Sequence, residues 1–230
     1  MAYQAQSRRS ILFIILCVSS VTQNLSAQWQ QVGLTNKTVF SLWAKGDKVI
    51  AGALRGETFR SSDGGKSWSI GPTLSPIYNM VQTLASKDSV VFAGISWGTY
   101  GDPCPGCGGV YVSSDYGVTW RSYSEGLPDQ IGVGFFFFRD TVLYLSSDYG
   151  IFHREFQDTS WHLFDDYFFR KDGIDCGLLL DSTIYAGTMG SGVFTRTLRD
   201  PSWQPANLGL PKSPFDTMYY IYRIISKVSG

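Results

Sequence analysis

Glutamate is nearly absent from this chain: Glu57, Glu125 and Glu155 are the only three in 230 residues. Acid–base chemistry would have to draw on that short set or on aspartate. Histidine is scarcer still, with His153 and His162 alone, and both read as ordinary strand residues. Lysine and arginine nowhere cluster, and 19 basic side chains balance 19 acidic ones. That balance excludes nucleic acid and an anionic membrane surface as partners, because both are recognised through concentrated positive charge. Also missing is an apolar run of the roughly 20 residues that a membrane-spanning helix needs.

The first acidic residue is Asp47. Ahead of it, Arg8 and Arg9 precede the apolar run Ile11 to Val18, and a polar stretch ends at Leu25-Ser26-Ala27. Residues 1–27 therefore read as a signal peptide cleaved after Ala27. The strongly apolar run fits the general secretory route better than the twin-arginine route that Ser7-Arg8-Arg9 faintly indicates. The expectation is a secreted, periplasmic or cell-surface protein without a membrane anchor after cleavage. Residues 28–230 then hold 17 basic and 19 acidic side chains, net −2, and the cysteines Cys104, Cys107 and Cys176.

What the chain does contain is a beat. Tryptophans at 29, 68, 120, 161 and 203 are spaced by 39, 52, 41 and 42 residues. Asp47, Asp88, Asp140 and Asp181, each between two apolar runs, are spaced by 41, 52 and 41. Two markers that share even the long interval define repeats of about 41 residues, built of short β-branched and aromatic runs joined by Gly/Asp/Ser turns. That is the signature of propeller blades, each of four antiparallel strands. Within the first blade the pattern predicts strands at 39–43, 49–53 and 57–61 and a fourth starting near Ser67, with the aspartates of the second marker in the turn between the first two strands. The fold class expected is all-β, a propeller with complete repeats at 38–72, 78–124, 130–165 and 173–207 and a partial one at 213–230. Helix has almost no support beyond the signal segment.

The tryptophan beat closes a second pattern. SSDGGKSW at Ser61 to Trp68 returns as SSDYGVTW at Ser113 to Trp120, and SSDYG occurs again at Ser146 to Gly150. The first two copies lie just before a repeat tryptophan, in the turn between the third and fourth strands. The last lies thirteen residues before Trp161, in the turn between the second and third strands. In the true copies the aspartate accepts hydrogen bonds from turn amides and hydroxyls, Gly65 or Gly117 takes a backbone conformation closed to other residues, and the tryptophan packs into the blade seam.

Ser61, Asp63, Gly65 and Trp68, with Ser113, Asp115, Gly117 and Trp120, resemble the Asp-box, or BNR, repeat of bacterial sialidases, sortilin-type receptors and photosystem II assembly factors. QDTSW ending at Trp161 and RDPSW ending at Trp203 resemble eroded boxes. The resemblance implies a β-propeller with structural boxes on the face opposite the usual ligand pocket. Box-containing families generally have more blades, so the resemblance also implies a truncated or degenerate member, with an open arc and a small closed ring as the two arrangements that four complete repeats and a partial one allow.

Gly52 to Asp63 spans eleven positions and Gly94 to Asp115 twenty-one, so ten residues are inserted into the loop SWGTYGDPCPGCGG. In propeller geometry this loop stands on the ligand face, where Trp97, Tyr100 and Asp102 are the expected ligand-binding residues. Cys104-Pro105-Gly106-Cys107 reads as a disulfide staple, with a redox dithiol or half of a zinc site as alternatives. Cys176 reads as a buried thiol left odd by that pairing. No metal site and no cofactor is expected. A sialidase resemblance would require an arginine triad, an Arg-Ile-Pro motif and a Tyr/Glu nucleophile pair, none recognisable here. The leading expectation is a non-enzymatic binding or assembly module for a protein or carbohydrate partner. The alternative is a glycoside hydrolase using Asp102 and Asp148 from neighbouring loops on one rim.

Overall fold

The computed structural model describes residues 31–75, 79–97, 108–165, 174–200, 202–211 and 219–220. The chain divides into Met1–Gln31 and Val32–Gly230, and the architecture below belongs to the second unit. Every regular element among the described residues is a β-strand. The first blade is β1 (Val39–Lys45), β2 (Lys48–Ala53), β3 (Thr58–Ser61) and β4 (Ser69–Ile70). The second is β5 (Asn79–Lys87), β6 (Val90–Trp97), β7 (Gly109–Ser113) and β8 (Arg121–Ser122). The third is β9 (Val133–Arg139), β10 (Val142–Ser147), β11 (Gly150–Glu155) and β12 (His162–Asp165), and the fourth β13 (Ile174–Leu180), β14 (Thr183–Gly190), β15 (Val193–Thr197) and β16 (Gln204–Pro205). Each blade is an antiparallel sheet in strict chain order. The outer strand of the first blade starts at Ser69, two residues later than expected, because Ser67 is still held by the preceding turn. Within 213–230 the described residues form β17 (Tyr219–Tyr220), which pairs antiparallel with the end of β14.

The turns between first and second strands are two residues long and begin with a left-handed residue: Gly46 (φ 58°), Asp88 (φ 55°), Asp140 (φ 50°) and Asp181 (φ 54°). Glycine meets this demand without a Cβ penalty, and aspartate tolerates it better than most residues. Asp47 is the second turn residue, one place beyond its counterparts. In the first blade the aspartate marker is therefore offset by one, and Gly46 carries the shared conformation.

Successive blades stack through their first strands, β1 on β5, β5 on β9 and β9 on β13. No contact of that extent joins β13 to β1 among the described residues. The Ala-Gly pair of the second strand is dictated by this stacking. A Cβ on Gly52 would stand 2.5 Å from Val81 Cγ1, and one on Gly94 would stand 2.6 Å from Val133 Cγ1. Between blades two and three, Phe92, Val110, Leu143, Leu145 and Phe152 form one buried cluster closed by Trp161. Phe137, Tyr144, Ile184 and Phe194 form the next. Each such side chain contributes about 1.5–3 kcal/mol when fully buried, so the seams are the hydrophobic core.

Candidate functional site

An antiparallel four-stranded blade has two ends, and each carries a different kind of turn. At one end the third-to-fourth-strand turns pack on the first-to-second-strand turns, as where Gly64 N donates to the Asp47 carbonyl at 2.8 Å. Neighbouring blades are linked at this end by Lys45 Nζ donating to the Asp88 carbonyl at 2.7 Å and Lys87 Nζ to the Asp140 carbonyl at 2.5 Å.

Here the two SSD turns are superimposable in their bonding. Ser61 Oγ donates to Asp63 Oδ1 at 2.7 Å and accepts from Gly65 N at 2.8 Å, while Ser67 N and Oγ donate to the two carboxylate oxygens at 2.9 and 2.5 Å. Ser113, Asp115, Gly117 and Thr119 repeat these distances. The Ser67 hydroxyl, then its amide and the Ser61 hydroxyl, hold the Asp63 pKa far below the usual carboxylate range. Burial pulls Asp115 upward, but the Thr119 hydroxyl and amide and the Ser113 hydroxyl outweigh it and lower its pKa to about 2. Both carboxylates are ionised and occupied by their own turns, so they cannot serve as acids or ligands. Asp63, Trp68, Asp115 and Trp120 are half-buried: Trp120 packs into the seam against Trp43, Ile50 and Val91 and Trp68 against Ala51 and Phe59, while the turns themselves form the rim of the blade.

The eroded boxes are rebuilt with the opposite charge. Strand register places Ser61, Ser113, Arg154 and Arg196 at equivalent points on the third strands, opposite Val49, Val91, Leu143 and Ile184. All four are buried. Arg154 Nε and Nη2 donate to the Asp158 carbonyl at 3.1 and 2.8 Å. Arg196 pairs with Asp165 and lies 4.8 Å from the Phe164 centroid. In the third blade the serine-to-aspartate bonds of an intact box are replaced by guanidinium-to-turn bonds, and in the fourth by an ion pair from Arg196 to Asp165 at the end of β12 in the preceding blade.

The other blade end carries a cavity. Gly109 N donates to the Ile131 carbonyl at 3.1 Å, joining the end of the inserted loop to the β8–β9 connection. Between them lies a cavity of about 420 Å³ lined by Tyr111, Ser122, Ser124, Glu125, Asp129, Gln130 and neighbouring backbone. Burial pushes the Tyr111 phenol pKa up. Ser124 Oγ is committed to the backbone of Val110, accepting from its amide at 2.9 Å, while the Glu125 and Asp129 side chains are exposed. Among the described residues no basic side chain lines the cavity, so Glu125 and Asp129 give that lining a negative charge.

Asp148 stands on the same rim, in the β10–β11 turn. Its Oδ1 accepts from Gly132 N at 3.0 Å, and burial pushes its pKa up. Its contact is therefore with the chain leaving the cavity, sixteen residues away. Trp97 ends β6 at the root of the inserted loop, and its side chain lies outside the described residues, as do Tyr100, Asp102, Cys104 and Cys107. Cys176 is buried beside the bulge of β13. Sequence reasoning passed over Glu125 and Asp129. Their signal was the turn-forming run Gly126-Leu127-Pro128-Asp129 directly after a fourth strand, with one of only three glutamates at its head.

No family model and no curated protein matches the chain. Among solved structures it is similar to an ancestral GH74 enzyme (19% identity, TM-score 0.60, covering 75% of this chain and 26% of that one). It is also similar to the extracellular domain of BT4673 from B. thetaiotaomicron (14%, 0.58, 83% and 25%) and to YCF48 bound to D1 peptide (13%, 0.50, 74% and 52%). The chain thus spans about a quarter of the first two proteins and about half of the third. Four antiparallel four-stranded blades in chain order, with propeller proteins as structural neighbours, give this chain the β-propeller fold.

Proposed function

We propose that this chain is an exported, non-enzymatic propeller of the Asp-box type that binds a protein or glycan on the rim holding the inserted loop. The observation that carries the reading is the separation of tasks between the two blade ends. The turn carboxylates are consumed by scaffolding, while the cavity at the opposite end offers free polar groups and a half-buried tyrosine. A few convergent polar groups on a concave surface are what a binding site requires. Trp97, Tyr100 and Asp102 of the inserted loop would extend this surface, and a Cys104–Cys107 disulfide would staple it. YCF48 with its D1 peptide is a propeller that holds a peptide, which favours a binding role over turnover. Glycoside hydrolysis is the second reading, supported by the two carboxylates in the cavity and by the GH74 likeness.

Peptide and glycan arrays probed with the purified protein test the proposal. Binding is expected, and the double substitution Glu125→Gln/Asp129→Asn should weaken it while Asp115→Ala leaves it intact in the folded fraction. Loss of a glycoside substrate on incubation, abolished by the same double substitution, would replace binding with hydrolysis as the function.

A further inference from the structure

One row of rings crosses the third blade from its inner to its outer strand. Phe137, Tyr144, His153 and His162 are successive cross-strand partners on β9, β10, β11 and β12. Their centroids are 4.8, 6.0 and 5.9 Å apart. The inner two rings are buried in the seam with the fourth blade. The outer two are imidazoles, and His162 is exposed. They are the only histidines in the chain, and strand register sets them directly opposite each other, with their ring planes 53° apart.

We propose that His153 and His162 form a two-imidazole chelate for a divalent transition-metal ion, with water in the remaining coordination positions. Directly opposed residues on antiparallel strands have Cβ atoms about 4.5–5.5 Å apart, close enough for both rings to reach one ion. Metal–nitrogen bonds of about 2.0–2.1 Å at a tetrahedral angle put two ring centroids roughly 5 Å apart. The observed separation is 5.9 Å, and a side-chain rotation of exposed His162 closes the difference.

The two halves of the site have different roles. His153 is the fixed ligand, flanked by the Tyr144 ring at 6.0 Å and the Phe164 ring at 5.8 Å. His162 is the mobile ligand. Among the described residues no set of three or more His, Cys, Asp or Glu side chains is positioned to hold a metal. The pair therefore suits ions that favour imidazole and accept water, such as Cu(II), Ni(II) or Zn(II), over Ca²⁺ or Mg²⁺, which prefer oxygen ligands.

The test is calorimetric titration of Ni(II) into the purified, untagged protein, beside His162→Ala and a Cys104→Ser/Cys107→Ser variant that removes competing thiols. One ion per chain is expected, bound equally well by the serine variant and at least about tenfold more weakly by His162→Ala, since losing one ligand abolishes the chelate. Equal affinity in His162→Ala, loss of binding in the serine variant, or no binding to the parent protein would each overturn the proposal. Should the alanine variant unfold, His162→Gln supplies the same comparison with a polar side chain at that exposed position.

Discussion

The Arg154 guanidinium lies 3.6 Å from the centroid of the Tyr123 ring, which belongs to the preceding blade. It therefore fastens its own turn and the neighbouring seam at once, where Ser61 and Ser113 fasten only their turns. Arg154→Ala removes a cation–π contact and two bonds to the Asp158 carbonyl, and should cost about 2–4 kcal/mol in urea unfolding. Arg154→Lys should recover less than half of that, because an ammonium cannot both stack and form the paired bonds.

Asp115→Ala should cost about 1–2 kcal/mol, the lower end reflecting a carboxylate that stands partly in water. Its pKa is lowered in the folded state from 3.8 to about 2. The stabilisation is therefore complete above the unfolded value and is lost as pH falls from about 4 through 2. Chemical denaturation of parent and variant across that window should show their difference shrinking toward zero.

Asp148 carries the opposite sign. Burial raises its pKa, so ionisation works against folding at neutral pH, and that cost fades as pH falls through the folded value toward the unfolded one. Asp148→Asn keeps an acceptor for Gly132 N and removes the charge, and should raise the melting temperature at pH 7. Asp148→Ala, lacking the acceptor, should lower it.

Two glycines separate crowding from backbone conformation. Gly94→Ala would press a methyl to 2.6 Å from both Thr83 Cγ2 and Val133 Cγ1, an overpacking cost of about 1–3 kcal/mol. Gly46→Ala meets nothing within 4 Å and pays only for its φ of +58°, about 1–2 kcal/mol. Thermal unfolding of both, with Gly46→Asn as a left-handed-tolerant control that should lie near the parent, distinguishes the two origins.

The blades were legible because their signals are local. A strand, a two-residue turn and an SSD turn each settle within a dozen residues, so period and chemistry can be read directly. What escaped reading depends on neighbours distant in the chain. Arg154 looks like a surface strand residue until Tyr123, 31 residues earlier, is placed beneath it. Asp148 looks like a turn former until Gly132 is placed beside it. The cavity holding Glu125 and Asp129 exists only where the β8–β9 connection meets the root of the inserted loop, a meeting that no periodicity encodes. The aspartate marker was read one place out in the first blade for the converse reason: Gly46 meets the same backbone demand with a different residue type.

Three of the four blade tryptophans reach backwards. Trp68 Nε1 donates to the Val32 carbonyl, Trp161 Nε1 to the Tyr123 carbonyl and Trp203 Nε1 to the Asp165 carboxylate, over 36, 38 and 38 residues. This gives assembly a direction. A chain threaded N-terminus first through a narrow passage delivers each of these three acceptors before the indole that needs it, whereas Trp120 Nε1 in the second blade is buried without a hydrogen-bond partner among the described residues and is held by packing alone. Shuffling the order of repeats, though each looks like the next, would strand Trp68, Trp161 or Trp203 without its anchor.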